Sequence, residues 1–437
     1  MAKYTRQDIL DLIEEEDIEF IRLQFTDISG KLKNMATTIE QIDKILDGHY
    51  KLDCKAIDGF SGTGYEELFL VPDLDTFVIF PWRPQNSKVA RFICDVIEPD
   101  GTPFIGDSRY ILKKVLKEAK DMGFSFDVAI KNEFFLFDLG ENGEPTNHSG
   151  EKGGYFDVGP ADEGENSRRD MILYLSDMGI GVESSYHSDE GAQHVLDLGY
   201  ADALEMADSI MTTRLVVRTV AKRHGRHATF MPKPRKNVKG SGAHYIFSMK
   251  KNGENIFTDS TDKIGISKEG YHFMAGILEH ITGMMLITNP IVNSYKRLIP
   301  GYLAPVTVGW SSTDTSPLIR LTSIGSDGGR IVLRNPDGAA NPYLVIALCI
   351  AAGLEGIKNQ TEPPVCMDEL AENEIIKADV LPRTLYEAVN LFTNDQFVQD
   401  VLGNHISGHM IQAKDAEWNE YCKQVTIWET ERYLSTI

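Results

Sequence analysis

The stretch VAIKNEFFLF, residues 128–137, alternates with period two and constrains the fold more than any other segment. Read as a strand, it puts Lys131, Glu133, Phe135 and Phe137 on one face and Asn132, Phe134 and Leu136 on the other. Such a strand, apolar at one end, can carry a charged pair at the mouth of a site. On spacing alone, Lys131 and Glu133 have two readings. They are neighbouring charges on a partly exposed strand, or they mark a ligand strand whose chemistry has been altered.

The 437 residues exceed one ordinary core, so two domains are expected, 1–103 and 104–437. In the first, Thr5 with Asp8 forms a capping arrangement for a helix to about residue 16. IEFIRLQFTD, KLKNMATT, ELFLVPDLDTFVIFPW and VARFICDVI read as strands, and PDGTPF at 99–104 as the boundary turn. The second opens on a helix closed by Gly123, followed by the 128–137 strand and a polar loop, GENGEPTNHSGEKGG. Helices at about 163–178, 200–224 and 267–286 alternate with strands near 180–187 and 193–198, in HATFMPK and in AHYIFSMKK. An irregular section then runs to 341, and helices complete the chain. Many strands adjoin, which indicates α+β rather than a doubly wound sheet.

A formal charge of −21 argues against direct nucleic-acid binding, which needs a cationic surface. The apolar run at 342–354 is too short to span a bilayer, and the N-terminal helix is charged with no signal-peptide core. Five widely spaced cysteines with no CxxC pair suit a reducing cytoplasm and give no metal or disulfide signal. A cytoplasmic protein without membrane partners is therefore expected. No P-loop, GxSxG or HExxH occurs, and GSGAH at 240–244 reads as a turn into a strand.

Longer strings carry more information: RLQFTDISGKLKN, LVPDLDTFVIFPW, KVARFICDVIEPDGTPFIGDSRY, NEFFLF, GGYFDVGPADEGENSRRD, HATFMPKP, GSGAH, NSYKRLIPGY, SPLIR and DGAANPYL. In this order they make the whole chain resemble glutamine synthetase of the bacterial type I class, near its Gram-positive branch. The resemblance implies an N-terminal β-grasp domain, a larger catalytic-type α/β domain with a split barrel, and a dodecamer of two stacked six-membered rings. The family phosphorylates the glutamate side chain with ATP and lets ammonia displace phosphate. That chemistry calls for divalent cations on carboxylates and one His, and for arginines on the phosphates.

Carried over by motif, the resemblance makes Glu133 and His244 remnant metal ligands. It places Lys131, Ser188, Val195 and Val332 where the family has carboxylates. Leu303 stands in place of the acidic flap residue, Thr315 in place of an arginine, and Lys239 in place of an Asn. Asp53, which the family presents to the neighbouring subunit, is retained. So are Arg297, Arg320, Arg334 and Ser248, as substrate- or nucleotide-binding remnants. Lys131 is expected to pair with Glu133 where a cation would sit. These departures lead to the expectation of a pseudoenzyme in nitrogen metabolism, without ligase activity and with no cofactor. Its role would be regulation, ligand binding or co-assembly, as a homo-oligomer, as a hetero-oligomer with an active glutamine synthetase, or docked on a transcription regulator. Two alternatives remain open. One is a divergent ATP-dependent carboxylate–amine ligase using Mg or Mn on a different acid or amine. The other is a structural ring or filament.

Overall fold

Helix α1 (Arg6–Glu15) starts at a capping box in which the Thr5 side chain accepts from Asp8 N–H and the Asp8 carboxylate accepts from Thr5 N–H. In the computed structural model it leads into β1 (Ile18–Thr26), β2 (Leu32–Thr38), α2 (Ile42–Leu46), β3 (Tyr50–Asp53), β4 (Glu67–Ile79) and β5 (Lys88–Ile97). The structure describes residues 3–62, 64–83, 86–314, 316–323, 328–371 and 379–437. These strands form one sheet in the order β2-β1-β5-β4-β3, with β1 and β5 parallel and the other pairs antiparallel. Pro72 sits inside β4 because β3 pairs only as far as Leu70, so no ladder needs the missing N–H on that side.

The second sheet follows α3 (Ser108–Asp121) and begins with β6 (Ser125–Asp138), the strand singled out above. After it come α4 (Glu165–Asp177), β7 (Val182–His187), β8 (Gln193–Asp202), α5 (Ala203–Arg223), β9 (Arg226–Thr229), β10 (Ala243–Lys251) and β11 (Glu254–Asn255). Next are α6 (Lys268–Thr288), α7 (Ser294–Arg297), β12 (Trp310–Ser311), β13 (Ile319–Ser323), β14 (Gly329–Leu333) and α8 (Pro342–Asn359). The chain closes with α9 (Leu385–Asn394), α10 (Gln396–Tyr421), which is broken at Gly403, and α11 (Ile427–Tyr433). The sheet runs β12-β13-β14-β10-β6-β8-β7, with β11 on β10 and β9 on β6, and the α+β class holds.

One expectation changes here. The section before 341 is not irregular throughout, since β12, β13 and β14 extend the central sheet by three strands. They are two to five residues long, too short for their alternation to stand out.

The core lies between the second sheet and helices α5, α6 and α8. Phe134, Leu136, Leu196, Tyr245 and Leu333 project to this side and are fully buried. Helix α8 is apolar on nearly all sides because it is the central core helix; 72% of its apolar window is buried. Gly276 on α6 and Gly356 on α8 let these helices touch. A methyl at Gly276 would come 2.1 Å from the Ala352 carbonyl oxygen.

The two sheets are tied by Arg109 at the start of α3. Its buried guanidinium bonds Asp73 and Asp95 of the first sheet at 2.7 and 2.6 Å, and Asp208 of α5 at 2.9 and 3.1 Å. Tyr343 of α8 donates its hydroxyl to the same Asp208 at 2.6 Å. Removing one partner of such a buried network strands the rest without partners.

Candidate active-site face

The other face of the second sheet is where the charges gather, and strand register decides which of them meet. Lys131 on β6 pairs with His244 on β10 and with Asp197 on β8, which in turn pairs with Ser184 on β7. Directly opposed residues share a face, so Ser184, Asp197, Lys131 and His244 form one row. Two residues along β6, Glu133 faces Val195, which faces Tyr186. On the far side, Ile246, Val332 and Arg320 line up across β10, β14 and β13.

Glu133 is held by the loop before β10: its Oε2 accepts Gly242 N–H at 2.7 Å, and its own N–H donates to the Gly242 carbonyl. Gly242 is a close-approach position, since a methyl there would lie 2.3 Å from Arg297 Nη2 and 3.0 Å from His244 Nε2. GSGAH is therefore a turn into a strand, as read, but its glycines serve to bring Arg297 and His244 together. Burial, reinforced by Arg334, Lys131 and Arg297, drives His244 well below the usual imidazole range. It is neutral at neutral pH, with a ring lone pair free to ligate. Burial lowers the Lys131 ammonium, but Glu133 and Tyr186 outweigh it and the net shift is upward. Lys131 is thus a cation, half-buried, 5.2 Å from the centroid of the Tyr186 ring.

The retained arginines divide by what they touch. Arg297 donates to the carbonyls of Asn335 (2.7 Å), Pro336 (3.3 Å) and Arg334 (3.0 Å). Arg334 donates to the carbonyls of Pro317 and Leu303, both at 3.2 Å, and burial lowers it to about 10. Both brace main chain while leaving their charge on this face. Among the described residues, Arg320 keeps a buried Nε with no hydrogen-bond partner.

The remaining expected residues are more scattered. Val195 is fully buried, and Val332, on β14 at the far side of the same sheet face, is half-buried. Ser188 is buried, with its N–H bonded to the Gln193 carbonyl across the β7–β8 turn. Leu303 is 56% exposed at positive φ, on the loop over Arg334. Lys239 pairs with Asp189 at 2.5 Å, and its N–H donates to Glu190 Oε1 at 2.7 Å, at the edge of this face. Ser248 lies four residues along β10 from His244, about 13 Å at the rise of a strand. Asp53 ends β3 in the first sheet, exposed, accepting Lys55 N–H at 2.9 Å. Thr315 lies outside the described residues.

A second cluster went unseen at the sequence level. Glu151, His187 and His194 are buried, and each offers a ligand atom within 4.8 Å of the others. His187 and His194 are register partners on β7 and β8, so a pair of histidines seven apart across the SDEG turn was the available signal; Glu151, in the polar loop, left none. His187 Nδ1 is 2.7 Å from the Ser188 carbonyl and donates to it, leaving Nε2 bare, 3.5 Å from the Glu151 carboxylate. Arg168 donates to His194 Nδ1 at 2.8 Å, so His194 turns a protonated Nε2 to Glu151 at 3.4 Å. Glu151 and His187 therefore face each other as two acceptors, and a proton or a cation resolves that conflict. Burial raises the Glu151 carboxyl, but His194, His187 and Gly164 N–H pull it below its ordinary value overall.

With this geometry in hand, the comparisons with known proteins are direct. The glutamine synthetase catalytic-domain model matches residues 105–433, and the glutamine synthetase beta-grasp model matches 17–99. A glutamine synthetase from Clostridium saccharobutylicum is 49% identical over 444 residues, spanning 100% of both chains. One from Staphylococcus aureus is 45% identical over 438 residues, 99% of this chain and 98% of that one. Among solved structures, a GmaS/ADP complex superposes with a TM-score of 0.89 at 29% identity, covering 98% of this chain and 99% of that one. Plasmodium falciparum glutamine synthetase gives 0.89 at 24% identity, covering 99% of each chain, and shows the shared fold. The expected β-grasp plus catalytic-domain architecture stands.

Two expectations are overturned. The inactive homologue conflicts with end-to-end identity of 45–49% to proteins named glutamine synthetase. The absence of any cofactor conflicts with the same relatives, with an ADP complex in a structural neighbour, and with the buried Glu151/His187/His194 group. The physical reason is common to both. The substituted motif positions were given more weight than the Glu133, His244 and arginines noted as retained, which the sheet still assembles on one face.

Proposed function

The chain belongs to the glutamine synthetase family, and from that premise we propose that it is an ATP-dependent carboxylate–amine ligase, with glutamate and ammonia as the first substrates to test. The observation that carries the reading is similarity across the full length of both chains. A carboxylate oxygen attacks the γ-phosphorus of ATP and ADP leaves; the amine nitrogen then attacks the acyl carbon and phosphate leaves. A divalent ion, when bound, neutralises charge on the transferring phosphoryl group.

Glu133 and His244 fit such an ion: one carboxylate and one neutral imidazole face the same space, and Glu133 is anchored through only one of its oxygens. Arg320 and Arg334 supply positive charge toward phosphate or substrate carboxylate. Lys239 and Leu303, at the rim, are positions that select the acid or amine. Asp53 completes the face from a neighbouring copy in a ring of identical subunits, which accounts for its distance from the site within one chain. The domain division we adopt is 1–103 and 104–437.

The test is turnover by purified protein with ATP, Mg or Mn, glutamate and ammonium, following phosphate and amide, then a panel of other acids and amines. ATP-dependent amide formation supports the proposal. ATP binding with no amide from any pair overturns it.

A further inference from the structure

A cavity of about 380 Å³ lies where the first sheet packs on the second domain, with β4 and β5 on one side and the start of α5 and the Met178–Ile180 turn on the other. Arg91 of β5 lines it from the buried side. This arginine is 4% exposed and donates from Nη2 to the Thr212 hydroxyl of α5 at 3.1 Å. Among the described residues, its Nε and Nη1 have no hydrogen-bond partner. Burial lowers it to about 10, so it remains a cation at neutral pH. Asp208 attracts it, but both Asp208 oxygens are taken, by Arg109 and the Tyr343 hydroxyl. A buried guanidinium with two donors unmet is costly until something brings acceptors to it.

The other charges around the cavity sort by depth. Asp73 is held by Arg109, and Asp75 accepts the N–H groups of Lys3 and Tyr4. The Lys3 ammonium lies 5.0 Å from the centroid of the Tyr4 ring. Asp202 and Glu205, at the N-terminus of α5, are exposed and line the opening. Glu205, Ser209 and Thr212 follow at spacings of four and three, on one stripe of α5. The cavity therefore runs two helical turns, about 10 Å, from carboxylate to guanidinium. Ile93, Met178 and Ile180, all buried, give it an apolar wall.

We propose that this cavity binds a free amino acid, with its carboxylate on Arg91, its ammonium toward Glu205 and Asp202, and an apolar side chain against Ile93 and Ile180. A simple anion would meet Asp202 and Glu205, and a simple amine would meet Arg91; a ligand carrying both charges matches both ends. The cavity shares no residue with the candidate active-site face, and the inference does not rest on the ligase reading.

Calorimetric titration of the full-length protein with L-valine tests this, against isovalerate, which lacks the ammonium, and isobutylamine, which lacks the carboxylate. L-Alanine and L-methionine repeat the titration, so that side-chain size does not decide the outcome. Amino acid should bind, and each half-ligand should bind at least tenfold more weakly. E205Q, an exposed change that should melt with wild type, should weaken binding at least fivefold, and R91M should abolish it. R91M removes an unmatched buried charge and should still fold; if it melts early, R91K takes its place, keeping the charge without the fork and binding at least fivefold more weakly. Three results would each overturn the inference: no saturable binding of any of the three amino acids, isovalerate or isobutylamine binding as tightly as valine, or undiminished binding by the folded Glu205 and Arg91 variants.

Discussion

The central sheet has one face made by the chain for itself and one face made for something else. On the inner face, Phe134, Tyr245 and Leu333 are fully buried against α5, α6 and α8, each filling space defined by other residues of the same chain. On the outer face, one residue away along each strand, stand Glu133, His244 and Val332. There Lys131, Glu133, His244 and Val332 are only partly buried, and identity is set by what occupies the space they face. The difference teaches that inner-face substitutions report on folding and outer-face substitutions on chemistry, even when they are adjacent in sequence.

A large effect should come from the inner face of β6. Phe134→Ala leaves a cavity beside Phe230 and the His194 ring and should cost about 3–5 kcal/mol in urea unfolding. A cost below about 1 kcal/mol would break the comparison, because the face would then be able to collapse around the loss.

Next is a pair of neighbours on β14. Leu333→Glu buries an unpaired carboxylate in the core and should leave little folded protein. Val332→Glu, half-exposed on the other face, should shift stability by about 1 kcal/mol or less. Its carboxylate would join Glu133 and His244, so Mn affinity by titration should rise. Equal destabilisation by the two substitutions would abolish the distinction between the faces.

How much of this was legible beforehand follows the same division. Period two in VAIKNEFFLF assigned Phe134 and Leu136 to one face and Lys131 and Glu133 to the other, and the structure agrees. Full-length strings gave the fold class through the resemblance. The expected Lys131–Glu133 pairing did not foresee that Glu133 would be anchored by Gly242 N–H, a contact 109 residues away. Glu151 was invisible because a lone Glu in a polar loop has no periodicity, and its burial is decided by His187, His194 and the backbone of Glu163 and Gly164. The expectation of inactivity rested on substituted motif positions, and end-to-end identity of 45–49% to proteins named glutamine synthetase overturns it.

A smaller effect lies in the inner layer, where His280 of α6 sits between Glu355 of α8 (2.8 Å) and Asp395 before α10 (3.2 Å). Burial lowers it, but the two carboxylates outweigh burial and raise it above the ordinary histidine value. A raised folded value means stabilisation that is full below the unfolded value near 6.5 and is lost as pH rises through the folded one. Melting temperature should therefore fall between pH 6 and pH 9 more steeply in wild type than in His280→Asn. Parallel pH profiles for the two proteins would remove the charge from this contact.

The smallest stability effect should come from the rim. Lys239 and Asp189 form a partly exposed ion pair, and pairs of this kind contribute about 0–1 kcal/mol, less at high salt. Lys239→Asn should therefore melt within a degree or two of wild type. The same substitution changes the charge beside the turn that leads to Gly242, since Lys239 N–H is bonded to Glu190 and the next residues run into β10. If the outer face is set by its ligand, Lys239→Asn should alter the KM for the acid or amine several-fold with melting unchanged. A change in melting with KM unaltered would instead place Lys239 with the residues the chain uses to build itself, and the boundary between the two faces would have to be drawn inside the rim.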